Sequence, residues 1–244
     1  MTSSPTLPPK RFYSTREAPC PYLSGRLERK VFTELDSDDR DPVHTHEALT
    51  AAGFRRSHGI AYKPMCENCS ACVPVRVRVA DFVPTRSMRR VLLANRHLVA
   101  DERPAFASPE QYRIFARYVS SRHGDGGMAA MGLGDYVAMV EETPIETSMT
   151  EYRDVGGTLV AAALTDHLQD GLSMVYSFFD PSRGRQSLGT FMILRHIAAA
   201  AERGLDHLYL GYWIRGSRKM AYKVRFQPIE GLAANRWAPL AADG

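Results

Sequence analysis

Residues 147–181 read TSMTEYRDVGGTLVAAALTDHLQDGLSMVYSFFDP, and the punctuation of this stretch decides the fold. Three runs rich in apolar and aromatic residues, 147–153, 158–167 and 172–179, are set apart by Gly156-Gly157 and by Gln169-Asp170-Gly171. Glycine accepts the positive φ that tight hairpin turns need, so the three runs predict an antiparallel meander.

The residues upstream supply a helical layer for that meander. Ser108 opens a helix: Pro109 suits its first position, and Gln111 stands three residues after the cap and completes a capping box. Tyr112, Phe115, Ala116 and Val119 recur at i, i+3, i+4 and i+7, the stripe of a helix lying on a sheet. This helix should end near Gly124, and a glycine-rich loop then leads to a short helix from Asp135. Downstream, Asp180-Pro181 precedes a helix over 187–203 stopped by Gly204, a strand over 207–213, a short helix around 218–223 and a last strand near 229–237. This order of helix, helix, three antiparallel strands, helix, strand, helix, strand resembles that of the GCN5-related N-acetyltransferase fold. The resemblance implies an α/β (α+β) architecture, acyl transfer as the reaction class, and a gap between strands 172–179 and 207–213 that holds the reactive acyl group.

The first half reads as a strand (26–35), an acidic polar loop (36–41), a helix (42–52) and a strand in which Val73, Val75, Val77 and Val79 alternate with polar positions. Period-two alternation puts Arg76 and Arg78 on one face. A helix over 86–98 follows, capped by Thr85 or Ser87, with Arg86, Arg89, Arg90 and Arg96 along it, as a stripe facing an anionic backbone or as a solvated face. Residues 101–107 link the halves. The expected organisation is a disordered tail (1–10), an N-terminal domain carrying a cysteine cluster (11–100), and an acetyltransferase-like domain (101–244).

Composition narrows the function classes. With 44% hydrophobic residues, 244 residues can bury a full core, and a net charge of +4 suits an anionic partner without the excess of a protein that coats nucleic acid. No run of about 18 apolar residues exists to span a bilayer, and the first residues hold no apolar signal core, so a cytoplasmic location without membrane contact is expected. Four cysteines are too sparse for a secreted disulfide scaffold, and Cys66, Cys69 and Cys72 recur every third residue. With Cys20 they could hold zinc or an iron–sulfur cluster, or remain reduced thiols.

The block 211–223, GYWIRGSRKMAYK, with Phe178-Phe179-Asp180-Pro181 and Ser187-Leu188-Gly189, resembles the C-terminal motifs of the arginyl-tRNA–protein transferase family. Pro19-Cys20-Pro21-Tyr22-Leu23 with Arg26, and Gly53-Phe54-Arg55-Arg56-Ser57 leading into Tyr62-Lys63-Pro64-Met65-Cys66, resemble its N-terminal motifs. The similarity runs from about Phe12 to Trp237, nearly the whole chain. Within that family the chain looks like the short bacterial branch, whose members resemble aspartate/glutamate leucyltransferases, joining leucine from leucyl-tRNA to proteins beginning with Asp or Glu; its length and cysteine run support that branch. The longer eukaryotic arginyl branch has a second cysteine where Leu23 stands here.

The resemblance implies an aminoacyltransferase whose partners are leucyl-tRNA and an acceptor with an acidic N-terminus, and whose product carries an N-end rule degradation signal. Arginine as donor, or acyl-coenzyme A as the acyl source, are the alternatives. No cofactor is required: an α-amine attacking an aminoacyl ester goes downhill to an amide, and positioning with oxyanion stabilisation can supply the catalysis. An acidic acceptor and a tRNA end call for arginine, lysine and tyrosine in the cleft. By motif position the expected catalytic residues are Asp180, Tyr212, Lys219 and Tyr222. The expected substrate-binding residues are Tyr22, Arg26, Arg55, His58, Tyr62, Lys63, Arg183, Arg185, Ser187, Gly189, Lys223 and Arg225. Ser187 to Gly189 open a helix whose free N–H groups could hold a phosphate, with Arg183 and Arg185 just ahead.

Overall fold

The computed structural model describes residues 10–35, 41–123 and 130–240; the expected tail over 1–9, most of the acidic loop and the glycine-rich loop lie outside them. In chain order the elements are β1 (Tyr13–Ser14), β2 (Ala18–Pro19), β3 (Leu27–Glu28), β4 (Lys30–Glu34), α1 (Pro42–Ala51), β5 (Arg55–Ser57) and β6 (Ile60–Pro64). Then come β7 (Cys72–Arg78), α2 (Arg86–Ala94), β8 (Val99–Pro104), α3 (Pro109–His123), α4 (Leu133–Glu141), β9 (Thr147–Arg153), β10 (Leu159–His167) and β11 (Gly171–Phe179). A 3-10 turn (Pro181–Gln186), α5 (Leu188–Glu202), β12 (His207–Ile214), a second 3-10 turn (Ala221–Arg225), β13 (Ile229–Ala233) and β14 (Arg236–Pro239) complete the chain.

The meander forms as expected. Asp154 shapes the first hairpin by accepting from the Gly156 and Thr158 amides at 3.1 and 3.0 Å, with Gly157 at φ +79°. The α3 capping box is closed: Ser108 N donates to Gln111 Oε1 (3.0 Å) and Gln111 N to Ser108 Oγ (3.2 Å). Ile114, Phe115 and Val119 of α3, with Tyr136 and Val140 of α4, cover one sheet face over Leu159, Leu164 and Phe178. Leu188, Phe191, Met192 and Ile197 of α5, with Met88 of α2, cover the other over Val160, Ala161 and Ala163. Buried on both faces, β10 reads as an apolar run without polar alternation.

The main sheet has eight strands, ordered β14-β13-β7-β12-β11-β10-β9-β8; a second sheet runs β1-β4-β6-β5. The element order and the parallel β11–β12 pair reproduce the acetyltransferase-like arrangement. The sheet also crosses the division expected at residue 100, since β7 from the first half lies between β12 and β13. The link expected over 101–107 begins inside an edge strand, since 99–104 pair with β9; edge strands expose both faces, so charges replaced the apolar alternation that marks a strand. The segment 229–237 is a hairpin turning at Ala234 and Asn235, both at positive φ. The helix expected over 86–98, capped by Thr85, ends at Ala94, where the Asn95 side chain donates to Val91 O (2.9 Å) and Gln186 O (2.8 Å).

Candidate functional site

The parallel pair β11–β12 lasts only from Gly171–Ser173 against His207–Tyr209. Beyond it β12 stays with β7, and β11 diverges toward Phe179. Arg55 crosses the fork that opens there: one guanidinium nitrogen donates to Met174 O (2.7 Å) and Val175 O (3.0 Å), carbonyls on the edge that β11 turns toward the opening. Across from it, Gly211 sits at φ +76°, and a Cβ on it would overlap the guanidinium. Two features thus require glycine at 211, a left-handed backbone and room for Arg55.

Strand alternation explains how Arg55 arrives. Neighbouring residues of β5 point to opposite sides, so Arg56 leaves the other way and meets Asp166 of β10 through Nε (3.0 and 2.9 Å) and a terminal nitrogen (2.7 Å). Both side chains are fully buried, and Thr147 Oγ1 donates to the same carboxylate at 3.0 Å. Burial alone would raise the Asp166 carboxyl, but the Arg56 charge and His46, whose Nε2 lies 3.4 Å away, hold it at about 2. The double arginine Arg55-Arg56 therefore clamps the small sheet onto two strands of the large one.

The block after β12 closes the fork from the far side. Tyr212 points toward the small sheet, and its hydroxyl donates to Gly53 O (2.8 Å) and Tyr62 O (3.1 Å), so it ties the sheets together. Lys223 is buried, and its Nζ donates to Tyr212 O at 2.6 Å. Burial, and then the positive field of Arg55, push its pKa well below the usual lysine value. Tyr222 is 41% exposed and within electrostatic reach of Arg55 and Tyr118. Lys219 and Arg225 of the same segment are exposed.

Tyr22, Arg26, Tyr62 and Tyr212 meet all four cysteines around one cavity of about 60 Å³ between the sheets. That space suits a few waters and is too small for a leucine side chain. Burial, and then the thiols of Cys66, Cys20 and Cys69, push the Cys72 thiol up to about 12; burial and Tyr62 do the same to the Tyr22 hydroxyl. As donors four thiols suit zinc or an iron–sulfur cluster, yet among the described residues no three of Cys, His, Asp or Glu stand at ligand spacing. The four thiols nevertheless line one cavity, and no chemical step below uses a metal.

Other expected residues lie apart from the fork or serve its frame. Asp180, at the end of β11, accepts from Ser182 N (3.1 Å) and Ser182 Oγ (2.8 Å), the bonds of a turn cap, with Arg117 at 3.7 Å. Burial would raise its carboxyl, but Ser182, Arg117 and Arg183 hold it below the usual value. Arg183 donates to Asp154 (2.8 Å). The Arg185 side chain lies outside the described residues. Ser187, at φ +53°, precedes α5 without a side-chain cap bond, and Gly189 lies in the first turn of α5 beside Phe179. The turn Pro181–Gln186 lines an open depression at the fork's mouth. His58 turns the β5–β6 hairpin at φ +53°, and Lys63 donates to Ala52 O at 2.8 Å, its pKa lowered by burial.

Sequence reading missed Tyr118 and Tyr176. Tyr176 comes directly after the carbonyls that Arg55 binds, packs on Phe115 (5.7 Å between centroids), and buries its hydroxyl without a hydrogen-bond partner among the described residues. Tyr118 stands within electrostatic reach of both Tyr176 and Tyr222. The available signal was tyrosine at positions where phenylalanine would pack as well, since a buried hydroxyl needs a partner.

Comparison with known proteins adds the chemistry. The model "Arginine-tRNA-protein transferase, N terminus" matches residues 18–90, and its C-terminal counterpart matches residues 110–233. The chain is 54% identical to the aspartate/glutamate leucyltransferase of Paramagnetospirillum magneticum over 99% of this chain and 98% of that one. It is 56% identical to the protein of the same name in Parvibaculum lavamentivorans, over 93% of each. Among solved structures it is similar to L-PGS of Bacillus licheniformis (TM-score 0.48, 10% identity, 59% of this chain and 46% of that one). It is also similar to a GCN5-related glucosamine N-acetyltransferase region of a fungal β-N-acetylglucosaminidase (TM-score 0.44, 10% identity, 81% and 22%).

Proposed function

The chain belongs to the arginine-tRNA–protein transferase family, and from that premise we propose that it transfers leucine from leucyl-tRNA to the N-terminal α-amine of proteins beginning with aspartate or glutamate. The observation that carries the choice of donor and acceptor is identity above 50%, over nearly the whole length, with relatives named for that transfer. The geometry supports the same reading against acyl-coenzyme A. Arg55 lies across the fork and occupies the β11 carbonyls beside it, which leaves a pantetheine arm neither the space nor the strand edge.

In the proposed reaction the α-amine attacks the ester carbonyl, the C–N bond forms, and the bond to the tRNA 3′ oxygen breaks. The amine proton ends on the departing 3′ hydroxyl. With a pKa of about 7.7–8.0 an α-amine is already partly neutral near pH 7, so positioning carries much of the work. Lys223, whose pKa burial and the field of Arg55 push well below the usual lysine value, is the group proposed to relay the proton. The hydroxyls of Tyr176 and Tyr222 supply donors for the oxyanion. Arg225, Lys219 and Arg26 are exposed cations for the acceptor carboxylate. Asp180 holds the mouth in shape, and the added leucine serves as a degradation signal.

Purified protein given leucyl-tRNA and peptides beginning with Asp, Glu or Ala should leucylate the first two only. Transfer from arginyl-tRNA instead would establish the other donor, and no transfer to any peptide would defeat the proposal.

A further inference from the structure

The exposed arginines of α2 obey none of the rules that stabilise an isolated helix. Met88 is buried while Arg86, Arg89 and Arg90 are exposed on the opposite side, within an arc of about 100° at 100° per residue. The first turn holds no acidic residue, so the helix N-terminus meets cations where its dipole favours anions. Arg86 and Arg90 stand at i and i+4, the spacing at which like charges repel. Among the described residues none of these three, nor Arg96 beyond the helix end, makes an ion pair; the nearby Asp81 is taken by Arg78. Arg89 donates to Pro84 O, but that carbonyl carries no charge, and a polyanion from outside the chain would supply the missing counter-charge.

Its position fits one. Asn95, fully buried, donates to Gln186 O at 2.8 Å and so fastens the end of α2 to the turn that lines the fork's mouth. The arginines therefore lead away from the site where the aminoacyl end must enter. From Arg86 to Arg90 the stripe is about 6 Å long at 1.5 Å per residue. A duplex presents roughly one phosphate per 1.7 Å, about three or four over that length, enough to face each of the three arginines. We infer that α2 is the docking surface for the acceptor-stem backbone of the aminoacyl-tRNA, through Arg86, Arg89, Arg90 and Arg96, an inference that rests on the function proposed above.

The test compares the wild-type chain with Arg86→Gln/Arg89→Gln/Arg90→Gln, measuring leucyl-tRNA affinity from 50 to 200 mM salt together with transfer kinetics. The expected result is a log–log salt slope shallower by about 2–3, so that wild-type affinity falls about 40-fold more than the variant's over that range. KM for leucyl-tRNA should rise with kcat and KM for the acceptor peptide unchanged, and three lysines in place of the arginines should restore the slope. An unchanged slope, or a higher KM for the peptide alone, overturns the inference. Because wild-type transfer is measured alongside, failure of the function reading shows as no transfer at all, and failure of the docking surface shows as normal transfer with an unaltered slope.

Discussion

Gly211→Ala probes the fork without removing a polar group. Its Cβ would overlap the Arg55 guanidinium, which must then withdraw from Met174 O and Val175 O. Hydrogen bonds from a charged donor are worth about 1.5–3 kcal/mol each; because Arg55 is only partly buried the lower end applies, giving about 3 kcal/mol for the pair. Holding alanine at φ +76° adds about 1 kcal/mol. Gly211→Ala should thus cost about 4 kcal/mol, Arg55→Met about 3, and the double variant about 4, because the same two bonds are lost only once. Urea denaturation of the four proteins measures the stabilities, and leucine transfer to an Asp-initiated peptide should fall in all three variants. Costs that add to about 7 kcal/mol in the double variant, or a Gly211→Ala protein as stable as wild type, would show that Arg55 does not span the fork.

Tyr176→Phe removes a buried hydroxyl that has no partner among the described residues, so stability should hold or improve by about 1 kcal/mol, whereas kcat should fall roughly 100-fold as an oxyanion donor is lost; full activity removes Tyr176 from the site. Lys223 has its folded pKa depressed, so between that value and the unfolded value near 10.5 the unfolded state binds the extra proton and stability climbs with pH. Lys223→Met should abolish that alkaline rise in denaturation series, and an unchanged rise would assign it elsewhere. Asp166, held at about 2 in the folded protein, contributes about 2 kcal/mol that is present above pH 4 and lost as pH falls through 2. Asp166→Asn should lack that acid loss in a pH titration of stability, and it should cost about 3–5 kcal/mol at neutral pH by leaving Arg56 buried without its partner.

The layout of the second half was legible because its signals are local: the Asp154 turn, the Ser108–Gln111 box and the glycine after α5 each act within a few residues. β8 was not, because an edge strand has no buried face to impose alternation. Tyr22, Tyr62 and Tyr212, expected by motif position, and the four cysteines converge on one cavity. What could not be read is the structural part each residue plays. Tyr212 and Asp180 look alike as reactive side chains in sequence, but one hydroxyl ties two sheets and the other carboxylate caps a turn. Those roles come from partners 150 residues away or from a turn only two residues on, and residue type records neither.

The clamp explains why the N-terminal half is needed at a site built from C-terminal strands. A parallel pair that parts after three residues leaves backbone carbonyls facing an opening, and such groups demand donors. A β-branched or aliphatic residue from the main sheet could fill the gap but could not satisfy them. Arg55 does both, because its neighbour Arg56 anchors the same strand on a buried carboxylate one strand further in. Tyr212 returns the tie by donating to Gly53 O, two residues before Arg55. The seam between the sheets and the floor of the fork are therefore one hydrogen-bonded unit. A substitution that loosens the small sheet should lower transfer, and loss of Arg56 should do so at a cost in stability to the large sheet as well, because it frees Arg55 and leaves Asp166 of β10 buried without its partner.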